Sequence, residues 1–244
     1  MKRILIGIVS ALLLVAGSGA AGAEEGKGVE AGLKMWINDW THDVPTRIEG
    51  GTLIPGGSIT SDTTVLLGPA IEVKFPNHVF VEASYLFSVS DYTFSDNFGT
   101  VFNDERQDAK VSIGYMIVPG FGVLAGYKNS WFKEKETGIE NTVYGPLIGM
   151  IGIAPMYYNA AFYGRLDYLF TRFKQTGGVD AFSGAAVQGF REDSPGWDLE
   201  VGFKVDFTRE FNGRIGYRYE TNEGSNSNVR DSFSGLILGG MVAF

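Results

Sequence analysis

Apolar and polar residues alternate with a period of two along most of this chain, a period typical of β-strands with one apolar face. The clearest segment is 197–208, where large apolar side chains occupy one face and charged side chains occupy most of the other. The alternation predicts ten strands, at about 29–38, 65–74, 79–90, 110–117, 121–130, 142–154, 158–170, 197–208, 211–220 and 233–244. Two of these segments, 142–154 and 233–244, are apolar or glycine on both faces. We count them partly because the order of the connections requires them.

The connections between the predicted strands are of two kinds. The short turns lie at 76–77, 119–120, 155–156 and 209–212. The longer, polar connections lie at about 41–62, 93–103, 133–140, 175–195 and 222–230. Short and long connections alternate strictly, which is the layout of an antiparallel up-and-down transmembrane β-barrel with short periplasmic turns and long extracellular loops. An even number of strands places both termini on the periplasmic side. A barrel of eight strands with one longer loop is the alternative.

Aromatic residues on the apolar faces mark two membrane interfaces. They are Phe75, Phe121, Phe207, Phe211 and Phe244 near the short turns, and Trp131, Phe170, Trp197 and Tyr219 near the long loops. Lipid offers no hydrogen-bond partners, so spanning strands must close into a barrel without free edges. A secreted β-sandwich also has alternating strands, but it does not need aromatic residues at both ends of strands this long.

The first 23 residues have the order of a secretory signal peptide. Lys2 and Arg3 form a basic start, 4–16 is an apolar run, and small residues follow up to Ala23. The apolar run is shorter than the roughly 20 residues of a membrane-spanning helix. We therefore predict cleavage after Ala23, which leaves 24–244 as the barrel and directs it through the periplasm to the outer membrane.

Composition excludes several kinds of chemistry. The 244 residues include no cysteine, which rules out a disulfide framework, a thiol nucleophile and a cysteine-ligated zinc. The formal charge of −8 argues against nucleic acid as a partner. We expect no cofactor.

The last strand carries the most specific pattern of the chain. Leu236, Leu238, Gly240, Val242 and Phe244 alternate up to a terminal phenylalanine. In this the chain resembles the small outer-membrane β-barrels of Gram-negative bacteria, over essentially all of 24–244. The resemblance implies contact with outer-membrane lipid and lipopolysaccharide. It also implies that Leu236, Leu238, Val242 and Phe244 form the signal read by the barrel-assembly machinery. Gly240 departs from that pattern, which expects a hydrophobic residue there.

The polar faces predict a lumen with balanced charge. The acids are Glu30, Glu72, Glu82, Asp167, Asp198, Glu200, Asp206 and Glu220, and the bases are Lys34, Lys74, Lys110, Lys128, Arg165, Lys204, Arg214 and Arg218. Ten strands is close to the eight-stranded size at which side chains fill the interior, and buried charges must be paired. We expect a mostly filled, ion-paired lumen. Inward glycines leave room for the alternative, a narrow and weakly selective pore for ions or small solutes: Gly68, Gly114, Gly126, Gly202 and Gly216.

Two histidines are the candidates for acid–base chemistry. His42 lies between Asp39 and Asp43 in the first long loop, and His78 lies at a short turn. The position of His42 resembles the omptin type of ten-stranded outer-membrane protease in strand number and residue type, although no omptin motif matches. A loop histidine beside an aspartate is usually just solvated, so we expect no catalysis. The two histidines lie at opposite ends of the barrel and cannot share a metal, so we expect no metal site. A surface hydrolase using His42 is the remaining alternative.

Two charged groups on the outer side are weaker candidates. The run Asn103–Asp108 lacks the spacing of a calcium loop, and we interpret it as a solvated loop. The bases Lys133, Lys135, Arg172 and Lys174 are candidates for contact with lipopolysaccharide phosphates. The sequence as a whole favours a monomeric barrel that is not an enzyme. Its expected role is structural or interactive, through extracellular loops of which 41–62 and 175–195 are the longest.

Overall fold

Ten antiparallel strands close into a barrel. The computed structural model describes residues 28–49, 52–54, 56–95, 101–157, 159–178, 186 and 188–244. The barrel strands are β1 (Gly28–Val44), β2 (Thr64–Lys74), β3 (Val79–Ser88), β4 (Val101–Val118), β5 (Phe121–Glu134), β6 (Glu140–Tyr157), β7 (Ala160–Leu169), β8 (Gly196–Asp206), β9 (Phe211–Glu223) and β10 (Arg230–Ala243). Each strand pairs with the next, and β1 pairs with both β2 and β10, so the barrel has no free edge.

This architecture confirms the predicted all-β, ten-stranded up-and-down barrel. The eight-stranded alternative and the β-sandwich are wrong. The poorly alternating segment 142–154 lies within β6, whose inward Leu147 packs against Phe80, Leu124 and Leu169 on neighbouring walls. This apolar cluster inside the lumen explains why the segment 142–154 of β6 carries no charged residue on either face.

Several strands are longer than the alternation predicts, whereas β3, β7 and β8 are slightly shorter. β4 begins at Val101 rather than near residue 110, and β6 continues to Tyr157, so 155–156 belongs to β6 and the third short connection lies between Tyr157 and Ala160. Four shorter strands add to the barrel sheet at the loop end: Gly57–Thr60, Tyr92–Ser95, Arg172–Thr176 and Arg191–Asp193. Two more, Arg47–Glu49 and Thr52–Ile54, pair with each other in a separate two-stranded sheet. Several of the predicted outer loops are therefore partly strand.

The outward faces carry an apolar band. On β4 the exposed outward residues Val111, Ile113, Tyr115 and Ile117 give way to Gln107 further along the same face. Polar outward residues there mark the upper limit of the membrane-spanning part, so the first residues of β4 project beyond it. The predicted interfacial aromatics are exposed on the outside, with Trp131 half-buried. None of the described residues forms a helix long and apolar enough to cross a membrane.

Some predictions fall outside the described residues. The signal peptide and its cleavage after Ala23 lie there entirely. Of the long connections, parts of 41–62, 93–103 and 175–195 also lie outside.

Candidate functional site

The charged residues predicted to face the lumen lie together in ion pairs. Each of the sixteen has an oppositely charged group within 4.0 Å. The pairs follow one another along the barrel axis from the periplasmic end upward.

The lowest pairs gather around Glu30 of β1. Its carboxylate lies 2.6 Å from Lys74 Nζ, 3.4 Å from Lys204 Nζ and 3.6 Å from Arg214 Nη2. Arg214 also donates to Glu72 at 2.8 Å. Four strands of the wall are joined here, and none of these groups has to stay unpaired in the low dielectric of a barrel interior.

The middle pairs cross the lumen. Lys110 of β4 lies 2.8 Å from Asp198 of β8, and Arg165 of β7 pairs with Glu82 of β3. Arg218, on the strand next to β8, also donates two hydrogen bonds to Asp198, at 2.8 and 2.9 Å. Partners four strands apart in a ten-stranded barrel lie on nearly opposite walls, so the side chains meet near the axis.

The uppermost ion pairs include Arg106, which the sequence pattern did not predict to face the lumen. Arg106 of β4 donates to Asp108 on its own strand and, at 3.0 Å, to Glu220 of β9 on the opposite wall; Lys128 also pairs with Glu220. Arg106 is fully buried, so the interpretation of Asn103–Asp108 as a solvated loop is wrong. The run is the upper part of β4, where Arg106 and Asp108 continue the inward face of Lys110. The period-two spacing of Arg106, Asp108 and Lys110 is the sequence pattern that indicates this continuation of the strand.

An aromatic layer closes the lumen directly above the charges. The Arg106 guanidinium lies 3.8 Å from the Phe233 ring centroid, a cation–π contact that covers the charge from above. Trp40 packs against Phe94, Phe132 and Phe233 with centroid separations of 4.9 to 5.2 Å. These rings are all buried. The sequence did not predict this layer, because Trp40 and Phe94 lie at or within predicted loops and Phe233 lies in a segment that is apolar on both faces.

A cavity of about 470 Å³ lies between this aromatic layer and the outside. We call it the outer cup. Its floor and walls contain Trp40, Phe94, Phe102, Phe132, Phe173, Phe190 and Phe233, and its titratable residues are His42, Asp104, Glu134, Glu192 and Asp231. Below the aromatic layer, the space among the ion pairs amounts to about 90 Å³.

His42 lies in the wall of the outer cup, at the end of β1. Its Nδ1 is 2.7 Å from Asp231 Oδ1, which also accepts a hydrogen bond from Trp40 Nε1 at 2.8 Å. Burial favours the neutral imidazole, but the hydrogen bond and charge of Asp231, with Asp43 and Asp104, outweigh it and raise the pKa of His42. The imidazole is therefore held in a fixed orientation facing carboxylates.

Asp104 and Glu134 form a like-charged couple on the opposite side of the cup. They are direct cross-strand neighbours in the register of β4 and β5. Burial, together with the charges of Glu134, Glu136 and Asp231, raises the pKa of Asp104 to about 7, against a smaller opposing effect of His42. Two carboxylates placed directly opposite on neighbouring strands repel each other.

The remaining candidates do not join this site. His78 lies at the β2–β3 turn with φ of 66°, its ring 6.2 Å from that of Tyr115. At the outer rim, Lys135 pairs with Asp91 and Glu105, and Arg172 with Asp193. Among the described residues no three acidic or histidine side chains converge closely enough to hold a metal ion.

Comparison with known proteins extends the structural result. No curated protein matches the sequence. The solved structure of the outer membrane protease OmpT from Escherichia coli is similar, with 12% identity, a TM-score of 0.63, and coverage of 92% of this chain and 99% of that one. The outer membrane protein AlkL, solved in DMPC bilayers, has 12% identity, a TM-score of 0.54, and coverage of 92% and 93%. At these identities the similarity concerns the fold. Residues 8–242 match the family described as "Outer membrane protein beta-barrel domain", and because this match covers most of the chain, the protein belongs to that family of outer-membrane β-barrels.

Proposed function

We propose that this protein is a closed, non-conducting outer-membrane barrel whose function lies in surface interaction at its extracellular end. The observation that carries the proposal is the pair of layers across the lumen, ion pairs below and aromatic rings above. Arg106, Lys128, Asp167 and Asp198 are at most 2% exposed, although they lie where a conducting path would have to pass.

Single-channel recording of the refolded chain 24–244 in a planar bilayer tests the proposal. We expect no steady openings, with folding verified by heat-sensitive mobility on gels. Steady openings of similar size in every preparation would contradict the closed lumen and favour the narrow pore. In that case, reversing the charge of Lys204 or Arg218 should shift the ion selectivity.

A surface hydrolase is the second candidate function, favoured by the His42–Asp231 contact of 2.7 Å. In this reading, His42 would act as a general base that takes a proton from water, and Asp231 would stabilise the imidazolium. Asp104 would face them across the cup. Incubation of the refolded protein with a mixture of peptides tests it by mass spectrometry. Cleavage that is lost in His42→Gln would establish the activity, whereas intact peptides would leave the barrel without it.

A further inference from the structure

We propose that the outer cup binds an organic cation with an apolar body, such as an aromatic or alkyl amine in its protonated form. The inference deepens the proposed surface role by naming a ligand class. It rests on the charge and the surface chemistry of the cup.

The titratable side chains of the cup are mostly acidic, and His42 is the one basic group among its described lining residues. Four carboxylates line it, while none of the described lining residues is a lysine or an arginine. Two carboxylates already have partners: Glu192 accepts from Ser227 at 2.7 Å, and Asp231 from His42 and Trp40. The side chains of Asp104 and Glu134 have no hydrogen bond or ion pair with any described residue. Most of the other charges of this molecule's interior are matched, so this couple offers an open position for a positive group.

The apolar lining suits the rest of such a ligand. Phe132 and Glu134 are successive residues on the inner face of β5, and Phe102 and Asp104 are successive residues on the inner face of β4. Aromatic rings therefore lie next to the unpaired carboxylates. Aromatic faces attract cations, most strongly when water is excluded. The volume of about 470 Å³ is within the range of small-molecule sites and far larger than a single metal ion requires.

The test uses three probes that share a phenyl ring and a short chain but differ in charge: phenethylammonium, 2-phenylethanol and 3-phenylpropanoate. Each is titrated into the refolded full barrel in a nonionic detergent and followed by calorimetry. We expect saturable binding of phenethylammonium, with the neutral and anionic probes at least tenfold weaker. Equal binding of the alcohol would overturn the proposal, because the cup would then recognise only the ring, and so would the absence of saturable binding.

Substitutions locate the site. Asp104→Asn and Glu134→Gln should each weaken phenethylammonium binding about tenfold. Glu105→Gln is the matched control, since it removes the same charge from the same strand but on the outward face, where Glu105 pairs with Lys135. It should change the affinity less than twofold, and an equal loss in Glu105→Gln would overturn the assignment to the cup. A conducting barrel would contradict the proposed function whatever these titrations show. A silent barrel that ignores the cation would contradict only the ligand.

Discussion

Arg106 contacts both layers that close the lumen, the ion pairs and the aromatic rings above them. Its guanidinium donates to Asp108 and Glu220 and stacks beneath Phe233. Glu220 would keep Lys128 and Arg218 as partners, but removing Arg106 would leave the buried carboxylate of Asp108 without its ion-pair partner. Breaking a buried ion pair in this way costs about 3–5 kcal/mol. We expect Arg106→Ala to lower the free energy of unfolding by that amount in a urea titration of the detergent-solubilised barrel.

Arg172→Ala is the control for this prediction. Arg172 also pairs with an acid, Asp193, but both side chains are more than two-thirds exposed. Exposed pairs contribute about 0–1 kcal/mol, so this variant should unfold close to the wild type. If Arg106→Ala behaved likewise, the interior around residue 106 would have to be hydrated.

Asp104 should make stability depend on pH. Its pKa is raised to about 7, so the folded protein holds this proton more tightly than the unfolded chain does. The corresponding stability is present below the unfolded pKa near 4 and is lost as the pH rises through about 7. Each unit of a pKa shift corresponds to about 1.4 kcal/mol. We expect Asp104→Asn to stabilise the barrel at pH 8 and to have little effect at pH 4, measured by urea unfolding at both values.

A reversed pattern, with Asp104→Asn destabilising at pH 8, would show that a positive group already neutralises the carboxylate. Glu105→Gln serves again as the comparison, because its carboxylate faces outward on the same strand. A site that reduces stability until a ligand arrives is consistent with a binding role for the cup.

At the scale of elements, the sequence reveals the barrel more readily than the cup. Period-two alternation and the order of short and long connections suffice for ten strands, because lipid outside and charge inside impose opposite chemistry on the two faces. The upper part of β4 was missed because Asn103–Asp108 is polar on both faces, as a strand beyond the lipid is free to be. β6 is the opposite case, with apolar residues on both faces where an apolar cluster fills the lumen.

The sequence does not predict the outer cup either, for a different reason. The residues of the cup come from β1, β4, β5, β6, β9 and β10, from short strands at the rim and from the connections between strands. Which of them converge depends on strand register and on where each strand ends. The alternation does not encode these precisely, so Asp104 and Asp231 give no sign in the sequence that they share a cavity.

The last strand carries a prediction about assembly. Leu236, Val242 and Phe244 are exposed on the outer face of β10, in line with a recognition pattern for the assembly machinery. Gly240 interrupts it, but a Cβ atom there would lie 3.6 Å from the Phe211 ring, so the neighbouring strand covers the position. We expect Phe244→Ala to lower the amount of folded barrel in the outer membrane severalfold, measured by heat-sensitive gel mobility of membrane fractions.

Phe207→Ala provides the control for Phe244→Ala. Phe207 is also exposed, by 62%, and lies at the β8–β9 turn on the same side of the barrel. If the only effect were the loss of an aromatic side chain at the membrane interface, both variants should lower the amount of folded barrel equally. A larger defect for Phe244 than for Phe207 is the result that supports a signal function.

At the scale of the whole molecule, ion pairs that cross the lumen tie distant strands together. Lys34 of β1 and Glu200 of β8 lie 2.8 Å apart and are 166 residues apart in the sequence. A double-mutant cycle with Lys34→Met and Glu200→Gln measures their coupling in urea unfolding. We expect a value of about 1–3 kcal/mol, in the range of interacting residues within one network.

The exposed pair Lys133–Glu140, with its charged atoms 4.0 Å apart, is the control for this double-mutant cycle. Its coupling should stay at or below about 0.5 kcal/mol, because water and salt screen surface charges. A Lys34–Glu200 coupling as small as that would mean that water reaches the lumen pairs, and a hydrated lumen would be expected to conduct. A large coupling together with silent recordings would instead leave the outer cup and the loops around it as the part of the barrel that meets other molecules.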